Sequence, residues 1–223
     1  MLDWIFGYSD TYMPLLALVV LLMVRKNIEK HNRIFFFYLA VNVVLFGITN
    51  IMAHNKINNL FLYHFYYLFE LIFVSWYLTK YLIKSSRPLF LIVAGCYTLF
   101  WLIDISLWES LNVFSSLAAG LQKIIILFLC MYYMLILSRS ERILNFQKLP
   151  EFWIASAYLV SCAMGILSVV AYKYYEQNNL QDSGIHAWII ESIGIIIKFT
   201  FLITAFLCYK RRHRSHYQSL SLL

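Results

Sequence analysis

The sequence predicts an all-α polytopic membrane protein, a bundle of seven transmembrane helices, and three observations carry that prediction. The 223 residues are 62% hydrophobic and only 13% charged, against about 25% charged in a soluble domain. The apolar residues gather into seven long stretches, and a spanning helix needs about 20 such residues. Runs such as Lys123 to Leu137 lack the strict alternation that the strands of an outer-membrane barrel require. Helices suit the bilayer because each one satisfies its own backbone hydrogen bonds.

The first stretch, 12–24, is short unless Trp4, Ile5 and Phe6 extend it outward, and Pro14 lies in its first turns. The second, 34–53, contains Asn42 and Gly47. The third, 60–79, is rich in aromatics and carries Tyr63, Tyr66, Tyr67 and Glu70. The fourth, 89–108, starts behind Pro88, and the sixth, 152–172, behind Pro150. Proline is tolerated at a helix start because the N–H it lacks would have no partner there. The fifth, 113–137, holds Gly120, Gln122 and Lys123. The seventh, 187–208, holds Glu191, Gly194 and Lys198, and a short basic tail, 209–223, follows it. No proline interrupts a span centre, which speaks against the broken helices of many ion-coupled carriers. Glycines inside spans favour close helix packing. Tyrosine and tryptophan cluster at span ends, as in an interfacial belt. The connections are too short for a second domain, so a ligand is expected within the bundle.

The charge distribution predicts an orientation. Fourteen of the eighteen Lys and Arg residues fall on alternate connections: around Arg25–Arg33, at Lys80, Lys84 and Arg87, at Arg139, Arg142 and Lys148, and at Lys210, Arg211, Arg212 and Arg214. The opposite connections hold Lys56 and Lys173 and most of the acids. The positive-inside rule then puts the N-terminus outside and the C-terminus in the cytoplasm. The net charge of +7 reflects this topology and contact with anionic lipid heads, not nucleic-acid binding. A bacterial inner membrane is the expected location. The N-terminal segment is acidic and lacks the basic region of a cleavable signal. Cys96, Cys130, Cys162 and Cys208 lie in or at the end of apolar spans with no CxxC pair; they read as buried apolar thiols.

Ionisable residues at mid-membrane depth are functional candidates by default. Glu70, Lys123 and Lys198 are expected at nearly one depth, with Asn42 and Gln122 close to that level. Tyr66 and Tyr67 share the face of Glu70, and Glu191 lies two turns outward on the face of Lys198. A polar track from Glu191 and Tyr63 down to the three charges is the expected ligand-binding site. Two lysines against one glutamate leave a positive group over, which suits an anionic or zwitterionic ligand. A structural ion pair and a proton or ion path are the other readings of the same residues. Single histidines (His54, His64, His186) near one face, with Asp104 and Glu191, provide no paired HxxxH for a zinc hydrolase. No catalytic set is expected, and no metal.

A lysine midway along the seventh span and a carboxylate on the third are similar in placement to the Schiff-base lysine and counterion of microbial rhodopsins. That resemblance would put retinal on Lys198. The chain departs from the pattern at Gly194, where a carboxylate would stand, and in lacking a mid-helix proline in the sixth span. A broader resemblance rests on LYHFYYLFELIFVSWYL in the third span, LPEFWIASAYLV in the sixth and AWIIESIGIIIKFTFLITAF in the seventh. These segments resemble a group of seven-helix membrane proteins of Bacteroidota that look like the membrane portions of sensor histidine kinases. The resemblance implies a receptor-like or sensor module that signals to a separate cytoplasmic partner. A small-solute or proton-coupled transporter using the Glu/Lys cluster is the alternative.

Overall fold

The computed structural model describes residues 7–84, 87–139, 146–178 and 184–220. Trp4, Ile5 and Phe6, Arg142 and the loop acids Asp3 and Asp182 lie outside the described residues. So do the side chains of Arg87, Glu176, His186 and the residues after Tyr209. Among the described residues the chain forms seven α-helices and no strand. They are α1 (Ser9–Val24), α2 (Ile34–His54), α3 (Leu60–Tyr77), α4 (Arg87–Ile103), α5 (Ser116–Ser138), α6 (Pro150–Gln177) and α7 (Gly184–Leu220). A wider π-helical turn continues α3 over Leu78–Leu82 and another continues α4 over Asp104–Trp108.

Among the described residues, five segments are long and apolar enough to cross a membrane: Lys30–His54, Pro88–Trp108, Ser116–Ser138, Pro150–Tyr175 and Ala187–Tyr209. The other two helices differ from these for physical reasons. α1 has only 16 residues, short of the ~20 that span a bilayer. α3 is diluted by four tyrosines, His64 and Glu70, because it faces the other helices along most of its length. The helix ends are locally specified. Glu109 caps α5: it accepts from the Leu117 N–H at 3.1 Å and from the Ser116 hydroxyl, which places a carboxylate at the positive end of the helix dipole. α7 meets no proline or glycine after Cys208 and stays helical to Leu220, through the segment read from the sequence as a short tail.

α1 packs against α2 and α7, α7 against α6, α6 against α5, α5 against α3, and α3 touches α2. Six helices therefore make a ring, with α4 outside it against α3. α4 turns Tyr97 and Trp101 inward; the tyrosine hydroxyl donates to the Ala118 carbonyl at 3.1 Å and the indole N–H to the His64 carbonyl at 3.0 Å. Its other face exposes Leu91, Ile92, Leu99 and Leu107, as a lipid-facing helix should. α6 and α7 come close at Gly194, where an added Cβ would lie 3.1 Å from Met164.

The ring has two unlike halves. At the end where α2, α4 and α6 begin, it is filled by Phe35, Tyr38, Phe73, Tyr77 and Phe206. Phe35 meets Phe73 and Tyr77 edge-on, with centroids 5.5 and 4.9 Å apart. A polar clasp closes this end. Tyr77 donates to Asn32 Oδ1 at 2.6 Å, Asn32 Nδ2 donates to the Tyr209 hydroxyl, and Tyr209 donates to Glu151 at 3.2 Å. The other half, where α1, α3 and α7 begin, holds a cavity.

Candidate functional site

The cavity has a volume of about 530 Å³, within the usual range for small-molecule sites. Its mouth is formed by Ser9 and Asp10 of α1, Asn50 of α2, Leu60 of α3 and Trp188 of α7, and its floor by Glu70, Tyr158, Lys198 and Phe199. Leu60 to Glu70 and Trp188 to Lys198 are each ten residues, about 15 Å of helix at 1.5 Å per residue. The cavity therefore runs from one end of the bundle to mid-depth.

Glu70 is buried at the floor, and both its oxygens are occupied. Oε1 accepts from the Lys198 ammonium at 2.9 Å, the Tyr66 hydroxyl at 2.8 Å and the Tyr38 hydroxyl at 2.9 Å. Oε2 accepts from Gln122 Nε2 at 2.9 Å. Lys198 also donates to the Tyr66 hydroxyl at 3.2 Å and lies 4.9 Å from the Phe199 ring centroid. Four helices, α2, α3, α5 and α7, are thereby tied to one carboxylate. Such a network is strong only because both oxygens of Glu70 have donors; a buried charge without them would be costly.

Lys123 does not join this group. Its ammonium meets Glu191 Oε1 at 2.8 Å and lies 5.7 Å from the Tyr67 ring. The expected surplus lysine is therefore corrected: the site has two ion pairs, Glu70–Lys198 and Glu191–Lys123. The reason is a long flexible stem and room to lay it down. A Cβ on Gly165 would sit 2.6 Å from Lys123 Cδ and 2.5 Å from Nζ, so the missing side chain on α6 is the channel through which Lys123 reaches outward to Glu191. Glu191 Oε2 is buried and has no hydrogen-bond partner among the described residues.

Of the eight residues expected at the site, Tyr66, Tyr67, Glu70, Lys123, Glu191 and Lys198 line the cavity. Asn42 and Gln122 do not. Asn42 is turned back on its own helix, donating to the Tyr38 carbonyl at 2.7 Å, and Gln122 supports Glu70 from behind. Several lining residues were not anticipated: Asp10, Phe46, Tyr158 and Trp188. Tyr38, which touches Glu70, was missed too, although it lies one helical turn before Asn42 on the same face. Asp10 carries no such signal, since an acid near a helix start is ordinary.

Among the described residues the histidines do not gather. His64 is buried with Nε2 3.0 Å from the Val113 carbonyl, and His54 is exposed at the end of α2. At the opposite end, Glu29, His31 and Glu151 bring one ligand-type atom each within 4.8 Å of one another. These groups are already engaged: His31 Nε2 faces Asn32 Nδ2 at 3.0 Å, His31 Nδ1 faces Glu29 at 3.5 Å, and Glu151 accepts from Tyr209. Comparison with family models, with curated proteins and with solved structures gives no match to this chain.

Proposed function

We propose that this protein is a receptor-like membrane module in which all seven helices cross the bilayer, the N-terminus lies outside, and the cavity takes a small molecule from the outer side. The observation that carries this reading is the cavity itself, which joins one end of the bundle to a buried and a part-buried ion pair shared by α3, α5 and α7. The asymmetric placement of Lys and Arg supports the orientation. A binding event at Glu191 or Lys123 would bias α7 against α5. α7 is one continuous helix from the cavity to Tyr209 and beyond, and Lys198 to Tyr209 spans about 16 Å. The clasp that Tyr209 makes with Asn32 and Glu151 is a natural point at which a separate cytoplasmic partner would read the change. The resemblance to sensor-kinase membrane portions fits this role.

A transporter reading of the same residues needs a route through the other half, where Phe35, Tyr38, Phe73, Tyr77 and Phe206 are packed against one another. A retinal reading keeps Glu70 as counterion, but a protonated Schiff base has one N–H, whereas Lys198 donates to both Glu70 and Tyr66.

The test has two parts. Reporter fusions at both termini should show activity characteristic of the cytoplasm at the C-terminus alone; periplasmic activity there rejects the orientation. Thermal unfolding of the purified protein with a broad panel of small polar molecules should find stabilising members. If none stabilises it, and Ser161→Trp raises Tm by filling the space, the cavity is a packing defect and the ligand reading fails. A visible absorption band lost in Lys198→Met would replace it with the retinal reading.

A further inference from the structure

Resting on the reading of the cavity as a ligand site, the chemistry of its wall specifies a ligand class. The lining charges are Asp10, Glu70 and Glu191 against Lys123 and Lys198, one acid in excess. The two lysines are committed to Glu191 and to Glu70 with Tyr66, so an anion would have to compete with carboxylates already in place. Among the described lining residues, the carboxylates of Glu191 and Asp10 keep acceptor capacity, and the buried Tyr158 hydroxyl on the floor has no partner. Glu191 Oε2 is buried without a partner. Asp10 Oδ1 accepts long hydrogen bonds, 3.4 Å from both Asn50 Nδ2 and Thr11 Oγ1.

The same cavity has an aromatic wall. Phe46, Tyr63, Tyr66, Tyr67 and Trp188 all line the cavity. Tyr63 is at its centre, with centroids 6.3 Å from Phe46, 6.4 Å from Tyr67 and 6.2 Å from Trp188. Ring faces attract cations, more strongly where water is excluded. A site with carboxylate oxygens near its mouth and aromatic sides is complementary to a positive group carrying N–H donors on an apolar body.

We propose that the cavity binds a small organic amine, its ammonium between Glu191 Oε2 and Asp10 and its apolar or aromatic body against Tyr63 and its neighbouring rings. The ammonium supplies the donor that Glu191 Oε2 lacks and a charged donor to Asp10, whose present hydrogen bonds are long, and it balances the charge of the five described lining groups. Glu191 then bridges Lys123 through one oxygen and the ligand through the other, which couples occupancy to the α5–α7 pair.

The test uses the full-length protein in lipid nanodiscs, with phenethylamine and tryptamine as probes. Their N-acetyl derivatives, 3-phenylpropionate and phenylalanine serve as uncharged, anionic and zwitterionic counterparts. At saturating probe the two amines should raise Tm by about 3 °C or more, and the N-acetyl derivatives should not, since only ligands that prefer the folded state stabilise it. Asp10→Asn should weaken amine binding at least tenfold by calorimetry while leaving the unliganded Tm near wild type. Glu191→Gln should weaken it further, and if that variant does not fold, Asp10→Asn alone decides. Stabilisation by 3-phenylpropionate but not by the amines overturns the amine assignment and leaves the ligand site standing. Equal stabilisation by amines and N-acetyl derivatives also overturns it, because the carboxylates then play no part. If no probe of any charge shifts Tm, the amine assignment fails. The broad panel and Ser161→Trp then decide whether the ligand site fails with it.

Discussion

Around the cavity, α2, α3, α5 and α7 face one another through hydroxyls, amides and charges; one or two turns further along, the same helices meet through Phe35, Phe73, Tyr77 and Phe206. The change occurs at Tyr38, whose ring stacks on Phe73 at 4.6 Å while its hydroxyl donates to Glu70. In a bilayer, apolar side chains gain little by leaving lipid for a protein interior, so helix association relies on close packing and on polar contacts. The aromatic half uses the first means and the cavity half the second. The aromatic half can tolerate small losses gradually. The cavity half is an interlocked set in which each partner is stranded when another is removed.

That contrast can be broken at several points. Glu70→Ala should have the largest effect, lowering stability by about 3–5 kcal/mol, because it leaves Lys198 buried without its counterion. Adding Lys198→Met should recover part of the loss, and thermal or denaturant unfolding of the single and double variants checks this. A double variant no more stable than Glu70→Ala would mean that the pair is not interlocked. Phe35→Ala in the aromatic half should cost about 3 kcal/mol with no recovery by any second change, and any ligand response of the cavity should persist.

Gly165→Ala sharpens the comparison at a single methyl. It should force Lys123 off Glu191 and cost about 1–3 kcal/mol, as overpacking does. Combined with Lys123→Met the two changes should be clearly non-additive, measured as a double-mutant cycle on unfolding. The smallest effect is expected on the lipid face. Thr200 is exposed, and its hydroxyl bonds back to the Ile196 carbonyl at 2.7 Å. Thr200→Val should change stability by less than about 0.5 kcal/mol. A larger loss would show that this face packs against something other than lipid.

The all-helical class could be read from the sequence because apolar runs and low charge are bulk properties that do not depend on which helix touches which. Glu70, Lys123 and Lys198 could be picked out because burying charge is costly wherever it occurs. Their pairing could not. Depth along a helix follows from counting residues, but the partner of a lysine depends on helix rotation and on its flexible stem. Lys123 reaches Glu191 through a gap at Gly165, on a helix that the charge pattern never brings into question. Asn42 shows the opposite error: a polar residue at the right depth satisfies itself one turn back along its own helix. The aromatic wall was only half seen, since Tyr66 and Tyr67 lie on the Glu70 face, whereas Phe46 and Trp188 come from other helices.

The distance in sequence between the buried partners has a consequence for how the protein is made. Glu70 is synthesised 52 residues before Gln122 and 128 residues before Lys198. At about 5–20 residues per second, the carboxylate on α3 waits roughly ten seconds for its ammonium. During that interval α3 cannot rest in lipid as a finished, ionised helix. Tyr38 and Tyr66 are already present to hold the acid, and α4, which stays outside the ring, leaves the place beside α3 clear for α5. α7 both neutralises Glu70 and meets α1, so its arrival joins ring closure and charge pairing in a single event.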